Sequence, residues 1–172
     1  MKTLFVTGGA GFIGSEFIRV VLGFSDDIKI VNFDALTYAG NLENLEGLDD
    51  SRHIFVKGDI RDQASVIEAL PYECEGIVNF AAESHVDRSI ASAHEFVTTN
   101  VLGTQILLDC AREKKVRRFL QVSTDEVMGS LPERAAAFFT EDSPFQPNSP
   151  YAASKTAAEH FVRAASETFG LD

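Results

Sequence analysis

Short apolar runs alternate with amphipathic stretches along the whole chain. Lys2–Thr7 is brief, apolar and β-branched, the profile of a strand buried on both faces. The glycine-rich stretch Gly8–Gly11 follows, and Phe12–Leu22 then takes helical spacing through Phe12, Ile13, Phe17, Val20 and Val21. Ile28–Phe33 predicts a second buried strand that ends at Asp34. Leu36–Leu48 is polar and irregular, with Tyr38-Ala39-Gly40-Asn41 as a turn. His53–Lys57 predicts a third strand, closed by the turn Gly58-Asp59. Asp62 predicts the cap of a helix carrying Ala64, Val66, Ile67 and Leu70. Gly76–Ala81 reads as strand four, Asp87–Lys115 as one long helix or two, and Arg118–Ser123 as strand five. Met128–Ser149 reads as a long loop. Ser149-Pro150 predicts a capped helix start, and Gly170 ends that helix after about Phe169.

Strands that alternate with helices imply an α/β fold, a parallel sheet with helices on both faces. Right-handed crossovers make it a doubly wound, Rossmann-like sheet of order 3-2-1-4-5, without the usual sixth strand and without a smaller substrate domain. The length of 172 residues suits about one domain, and the sequence has no internal repeat or interdomain linker, so 1–172 reads as a single dinucleotide-binding domain. An apolar fraction of 45% supplies a core. The net charge of −11 argues against nucleic acid and against anionic membrane surfaces, both of which reward Lys and Arg. The chain has no apolar run of membrane-spanning length and no signal-peptide pattern, and it reads as cytoplasmic. Cys74 and Cys110 form no CxxC pair, and the four histidines lack metal-ligand spacing, so no metal is expected.

Gly9-x-Gly11-x-x-Gly14 lies directly between a predicted strand and a predicted helix. Glycine suits a tight turn and a close backbone approach to a pyrophosphate, and the helix amino terminus offers free N–H groups to its charge. The alternative is an ordinary structural turn. Asp34 ends strand two, 20 residues after Gly14, where a carboxylate can accept the ribose hydroxyls of NAD and repel the extra phosphate of NADP. Asp59, after strand three, reads either as an acceptor for the adenine amino group or as a turn or cap residue. Ala81-Ala82-Glu83-Ser84 leaves strand four at the point where the strand order reverses, and small alanines there let a cofactor pass close to backbone.

Tyr151-x-x-x-Lys155 puts a phenol and an ammonium on one helix face. A cation beside the phenol lowers its pKa and prepares it to take a proton from an alcohol; alone, the spacing also suits an exposed helix face. Ser123-Thr124-Asp125-Glu126 ends strand five. A hydroxyl there can share the substrate proton with Tyr151. The two carboxyls read as a solvated turn or, in a cleft, as a protonated acid beside an ionised base. His85 follows Ser84 at the same crossover.

These residues resemble those of the extended short-chain dehydrogenase/reductases that act on nucleotide sugars, and among them the dTDP-glucose 4,6-dehydratases. The resemblance rests on TGGAGFIG (7–14), DALTYAGNLENL (34–45), AAESHVDRSI (81–90), STDEV (123–127) and SPYAASK (149–155), and covers nearly the whole chain. It implies NAD as cofactor, held by Gly8, Gly11, Phe12, Ile13, Gly14, Asp34, Thr37, Asp59, Ile60, Ala81, Ala82 and Thr99 together with Tyr151 and Lys155. It implies a nucleotide-diphosphate sugar, dTDP-glucose, as substrate, touched by Ser84, Thr124, Asp125 and Glu126. In the implied chemistry Tyr151 deprotonates the 4-hydroxyl, Thr124 polarises that oxygen, Glu126 takes the carbon-5 proton and Asp125 protonates the leaving 6-hydroxyl, with Lys155 supporting Tyr151. The product is dTDP-4-keto-6-deoxyglucose, and the class is lyase. The alternatives are a 4-epimerase, a UDP-glucuronate decarboxylase, or a non-catalytic NAD-binding module. Met128 stands where the family usually has Tyr, and Ala35 where Lys is common. Family members carry a further carboxyl-terminal half, so the chain resembles an amino-terminal portion. The bare edge of strand five, and apolar helices after strands four and five of the kind that form the relatives' dimer contact, predict a homodimer.

Overall fold

The computed structural model describes residues 1–131 and 138–172. Part of the predicted loop Met128–Ser149 therefore lies outside the described residues. Five parallel strands form one sheet in the predicted order, β3-β2-β1-β4-β5. They are β1 (Lys2–Thr7), β2 (Ile28–Asp34), β3 (His53–Lys57), β4 (Gly76–Asn79) and β5 (Phe119–Gln121). The last two are shorter than predicted, because the chain turns out of the sheet toward the cleft after Asn79 and Gln121.

Alternation along the strands builds two cores. Phe5, Phe33, Ile77 and Phe119 face one layer with Leu107, Leu108 and Ala165, whereas Val6, Ile30 and Val78 face the other with Ile18 and Leu22. The inner strands β1, β2 and β4 are buried on both faces, which is why they read as continuous apolar sequence rather than alternation, whereas the edge strands β3 and β5 leave Ile54 and Leu120 exposed. Helix α1 (Phe12–Phe24) supplies Ile18 and Leu22. Of the spaced residues Phe12, Ile13, Phe17, Val20 and Val21, Phe17 and Val21 pack against this core, whereas Phe12 is 89% exposed and Ile13 64%. Both stand on the first turn, which opens onto the cleft rather than the sheet.

The caps fall where local chemistry puts them. The Asp62 carboxylate accepts the N–H groups of Ala64 and Ser65 at the start of α2 (Gln63–Ala69). The span after β4 is two helices, α3 (Val86–Ala91) and a second unit of α4 (His94–Phe96), a π-helical stretch (Val97–Gly103) and α5 (Thr104–Glu113). Ser92 in extended conformation separates them. Ser149 caps α6 (Pro150–Phe169) through the Ala152 N–H, with Pro150 at its first position. Gly170, at φ 70°, ends α6 and turns the chain back along β5, where Phe119 N–H donates to the Asp172 carbonyl at 2.7 Å. The outer edge of β5, expected bare, is thus occupied at that residue, and Leu171 joins the core. No helix among the described residues is long and apolar enough to cross a membrane, and they contain no cluster of metal-ligating side chains.

Replacing Asp62 by Ala removes the acceptor for two orphan N–H groups and is expected to cost about 1 kcal/mol of unfolding free energy, read by urea denaturation.

Candidate dinucleotide and catalytic site

A cleft of about 330 Å³ runs along the carboxyl edge of the sheet. Its floor depends on glycine. Gly8 sits at φ 70°, and a Cβ there would lie 2.6 Å from the Ala81 backbone nitrogen, so the exits of β1 and β4 touch where the strand order reverses. A Cβ on Gly14 would run into the Gly8 carbonyl. The α1 amino terminus begins after Gly11 with no side chain capping it, so its free N–H groups and positive dipole end face the cleft. A glycine cradle, an uncapped helix start and a carboxylate at the second strand end together fit a dinucleotide.

Gly8, Gly11, Phe12, Ile13, Gly14, Asp34, Thr37, Asp59, Ile60, Ala81, Ala82, Thr99, Tyr151 and Lys155 all line this cleft, as does Ser84. Ala35, where the family often has Lys, lines it as well. Thr124, Asp125 and Glu126 are not part of the lining. They form the first residues of a 3-10 turn after β5 and border Tyr151, whose phenol feels both carboxylates.

Asp34 is buried, and its oxygens already accept the Ala10 N–H (2.9 Å) and the Leu36 N–H (2.8 Å). Two bonds leave a carboxylate further lone pairs for a hydroxyl donor. Asp59 caps no helix. Arg61 clasps it through Nε and Nη2 (2.7 Å at the closest) and reaches Glu95 through Nη1. Burial pushes the Asp59 carboxyl up, but the Arg61 bonds outweigh it and leave the group below its ordinary value.

Tyr151 and Lys155 share the predicted face, but the expected electrostatics is reversed. Burial pushes the phenol above its ordinary value. The hydrogen bond with Thr124 opposes this, and Glu126, Asp125 and Tyr38 add to the rise. Lys155 does not bring the phenol down, because its ammonium, 5% exposed, donates to the Val122 carbonyl at 2.6 Å. Burial draws that ammonium down to about 8, with Glu159 pulling the other way. The choice of hydroxyl is also decided: Thr124 faces Tyr151, whereas Ser123 donates to Glu159.

Sequence reasoning missed Arg61, in the lining, placed Glu83 at the crossover without a role, and missed the stack at the cleft mouth, where Tyr38 lies 5.1 Å from the His85 ring and under Arg88 at 4.7 Å. An arginine two residues after a strand-end acid was the available signal for Arg61. Nothing local signalled the stack, since Tyr38 comes from the loop after β2 and meets His85 and Arg88, at the start of α3, only in the folded chain. Asn100, on the π-helical stretch, is buried and was also missed. Its amide brackets Glu83 through both backbone groups and donates to Ser154 on α6.

The depressed Lys155 has a stability consequence. Below about pH 8 the ammonium is buried charged. Between there and its ordinary value near 10.4 the unfolded chain holds a proton that the folded chain has released, so stability rises with pH. Against Lys155→Met, the parent chain is expected to gain about 3 kcal/mol of unfolding free energy over that window, by urea titration at fixed pH.

The sequence matches the family described as GDP-mannose 4,6 dehydratase over residues 5–172. It is 54% identical over 167 residues to the low-salt glycan biosynthesis protein Agl12 of Haloferax volcanii, covering 96% of this chain and 52% of that protein. To dTDP-glucose 4,6-dehydratase of Xanthomonas campestris it is 51% identical, covering 99% and 51%. The crystal structure of DesIV, a dTDP-glucose 4,6-dehydratase of Streptomyces venezuelae with NAD bound, superposes with a TM-score of 0.92 at 51% identity, covering 99% of this chain and 53% of that one. The chain thus spans about half the length of these relatives, and it belongs to the GDP-mannose 4,6 dehydratase family, as a member of the extended short-chain dehydrogenase/reductases akin to the dTDP-glucose 4,6-dehydratases.

Proposed function

We propose that this chain is the NAD-holding, catalytic portion of a dTDP-glucose 4,6-dehydratase, forming dTDP-4-keto-6-deoxyglucose with no net redox change. The observation that carries this reading is the meeting of Tyr151, Thr124 and the Asp125-Glu126 carboxylates beside a glycine-floored cleft. NAD, when bound, supplies the acceptor for the carbon-4 hydride and its return to carbon-6. The backbone from Gly8 to Gly14 takes the pyrophosphate, Asp34 a ribose, and Asp59 the adenine amino group. Thr37, Ile60, Ala81, Ala82 and Thr99 complete the walls, and Ser84 meets the sugar.

Tyr151 takes the proton of the sugar 4-hydroxyl, and Thr124 shares it through its own hydroxyl. The phenol is held protonated by burial and by its acidic neighbours, so in this reading its base form is reached only once cofactor and sugar fill the cleft, with Lys155, one turn on along α6, as the supporting cation. The ketone at carbon-4 acidifies the hydrogen at carbon-5. Glu126 removes that proton, Asp125 gives one to the departing 6-hydroxyl, water leaves, and the proton held by Glu126 returns to carbon-5 to complete the product. The adjacent carboxyls must hold opposite protonation states for this step. A 4-epimerase needs no acid for departing water, which is why the pair favours the dehydratase. The same reading takes the helices after β4 and β5, where Val97, Leu102 and Phe161 stand exposed, as the contact of a homodimer. Light scattering is expected to give a dimer, and a monomer at micromolar concentration overturns that contact.

Incubation with NAD and dTDP-glucose is expected to yield the alkali-induced absorbance of a 4-keto sugar. Tyr151→Phe and Glu126→Gln should each lower turnover by about 10²–10⁴-fold, with the NAD-induced rise in Tm kept in Glu126→Gln. Full elimination by Glu126→Gln refutes the assignment of the base. A rise in Tm with no 4-keto sugar replaces the enzyme by a dinucleotide-binding module, and no rise in Tm removes the cofactor itself.

A further inference from the structure

We infer that Glu159 is a positioning residue for Lys155, its carboxylate fixed by the Ser123 hydroxyl so that a negative charge stands one helical turn beyond the lysine. The inference rests on the reading above, in which Lys155 serves Tyr151 as a cation, and it adds the group that maintains that cation.

The geometry is a two-point clamp. Val122 and Ser123 are consecutive residues at the exit of β5, and Lys155 and Glu159 are neighbours at i and i+4 on α6. Lys155 Nζ donates to the Val122 carbonyl at 2.6 Å, and Ser123 Oγ donates to Glu159 Oε1. The two bonds run in opposite directions between the same two elements and together hold the exit of β5 against α6. Ser123 is thereby committed, and the next hydroxyl along, Thr124, is the one left to meet Tyr151.

A buried ammonium whose hydrogen bond goes to a carbonyl is poorly compensated, since a carbonyl carries only a partial charge. Charged side chains do stand on the elements around α6, among them Arg88 on α3, Glu95 on α4, Arg112 on α5, and Asp125 and Glu126 after β5. Those last two bear on Tyr151, whereas the carboxylate that bears on Lys155 is Glu159. Burial already draws the lysine down to about 8. Without Glu159 the opposing pull is lost and it falls further, and a neutral amine cannot favour a phenolate.

The test is an NMR titration of the lysine ε resonances of the 172-residue chain, with Lys155 assigned by its disappearance in Lys155→Met. Glu159→Gln keeps an acceptor for Ser123 and removes the charge, so the Lys155 midpoint is expected to fall by about one pH unit. Ser123→Ala frees the carboxylate and should lower the midpoint by less, and Glu159→Asp should bring it back toward the parent value. An unchanged midpoint in Glu159→Gln overturns the proposal even if Tm drops, because a purely structural contact moves Tm and not the titration. Should Glu159→Gln fail to fold, an unchanged midpoint in Ser123→Ala overturns it equally. The readout needs neither NAD nor sugar, so its failure is separable from failure of the dehydratase reading, which the NAD-induced shift in Tm and the 4-keto assay address.

Discussion

Lys155 lies almost wholly buried on α6 and donates a hydrogen bond to the backbone carbonyl of Val122, where the chain leaves β5. Much of the site hangs from that bond. It brings α6 against the sheet edge at a fixed height, and so places the Tyr151 phenol one turn earlier on the same helix beside Thr124 and the two acids. A buried ammonium must find an acceptor or lose its proton, and here it does some of both. The same group therefore fixes geometry and sits close to a change of charge.

The Val122 carbonyl is itself held from beneath. Thr7 donates to the Asn79 side chain, Asn79 donates to Gln121 at 2.8 Å, and the Gln121 amide donates to Val122 O. Asn79 and Thr7 are fully buried at the ends of neighbouring strands. This polar chain starts at the residue just before the phosphate-loop glycines and ends at the anchor of the lysine. Buried polar groups left unpaired are costly, so a satisfied chain of this kind fixes the three strand ends relative to one another. Rigid strand ends suit a cleft whose two functional parts, glycine floor and catalytic wall, come from opposite sides of the crossover between β1 and β4.

The acids follow a different logic. Asp34 and Asp59, both strand-end carboxylates in the cleft, are each engaged before any ligand arrives, Asp34 by backbone N–H groups and Asp59 by Arg61. Such bonds cost a carboxylate little of its accepting capacity and hold it in one orientation. Asp125 and Glu126 stand in the 3-10 turn near Tyr151 and raise its phenol. Four carboxylates stand along one sheet edge of a chain of net charge −11, so an anionic ligand in the proposed role must find its attraction elsewhere. The attraction comes from the backbone at the start of α1, with Arg61 nearby, rather than from a field of basic side chains.

What was legible in the sequence was what is decided within a turn or two of chain. The strand–helix order, the parallel sheet and its strand order, the capping by Asp62 and Ser149, the stop at Gly170 and the glycine-bearing crossover all follow from periodicity, φ preference and local hydrogen bonding. So does the shared face of Tyr151 and Lys155. The first turn of α1 was misread because its apolar residues serve the cleft, not the core. β5 is the sheet edge as read, except that Asp172 covers the Phe119 N–H once α6 has brought the chain back. Whether a phenol is pushed up or down, which of two adjacent hydroxyls meets it, and that Arg61 reaches on from Asp59 to Glu95 were decided by tertiary structure alone. Backbone geometry is set by neighbours along the chain, whereas burial and electric field are sums over neighbours in space, and those exist only once the sheet and α6 have closed on each other.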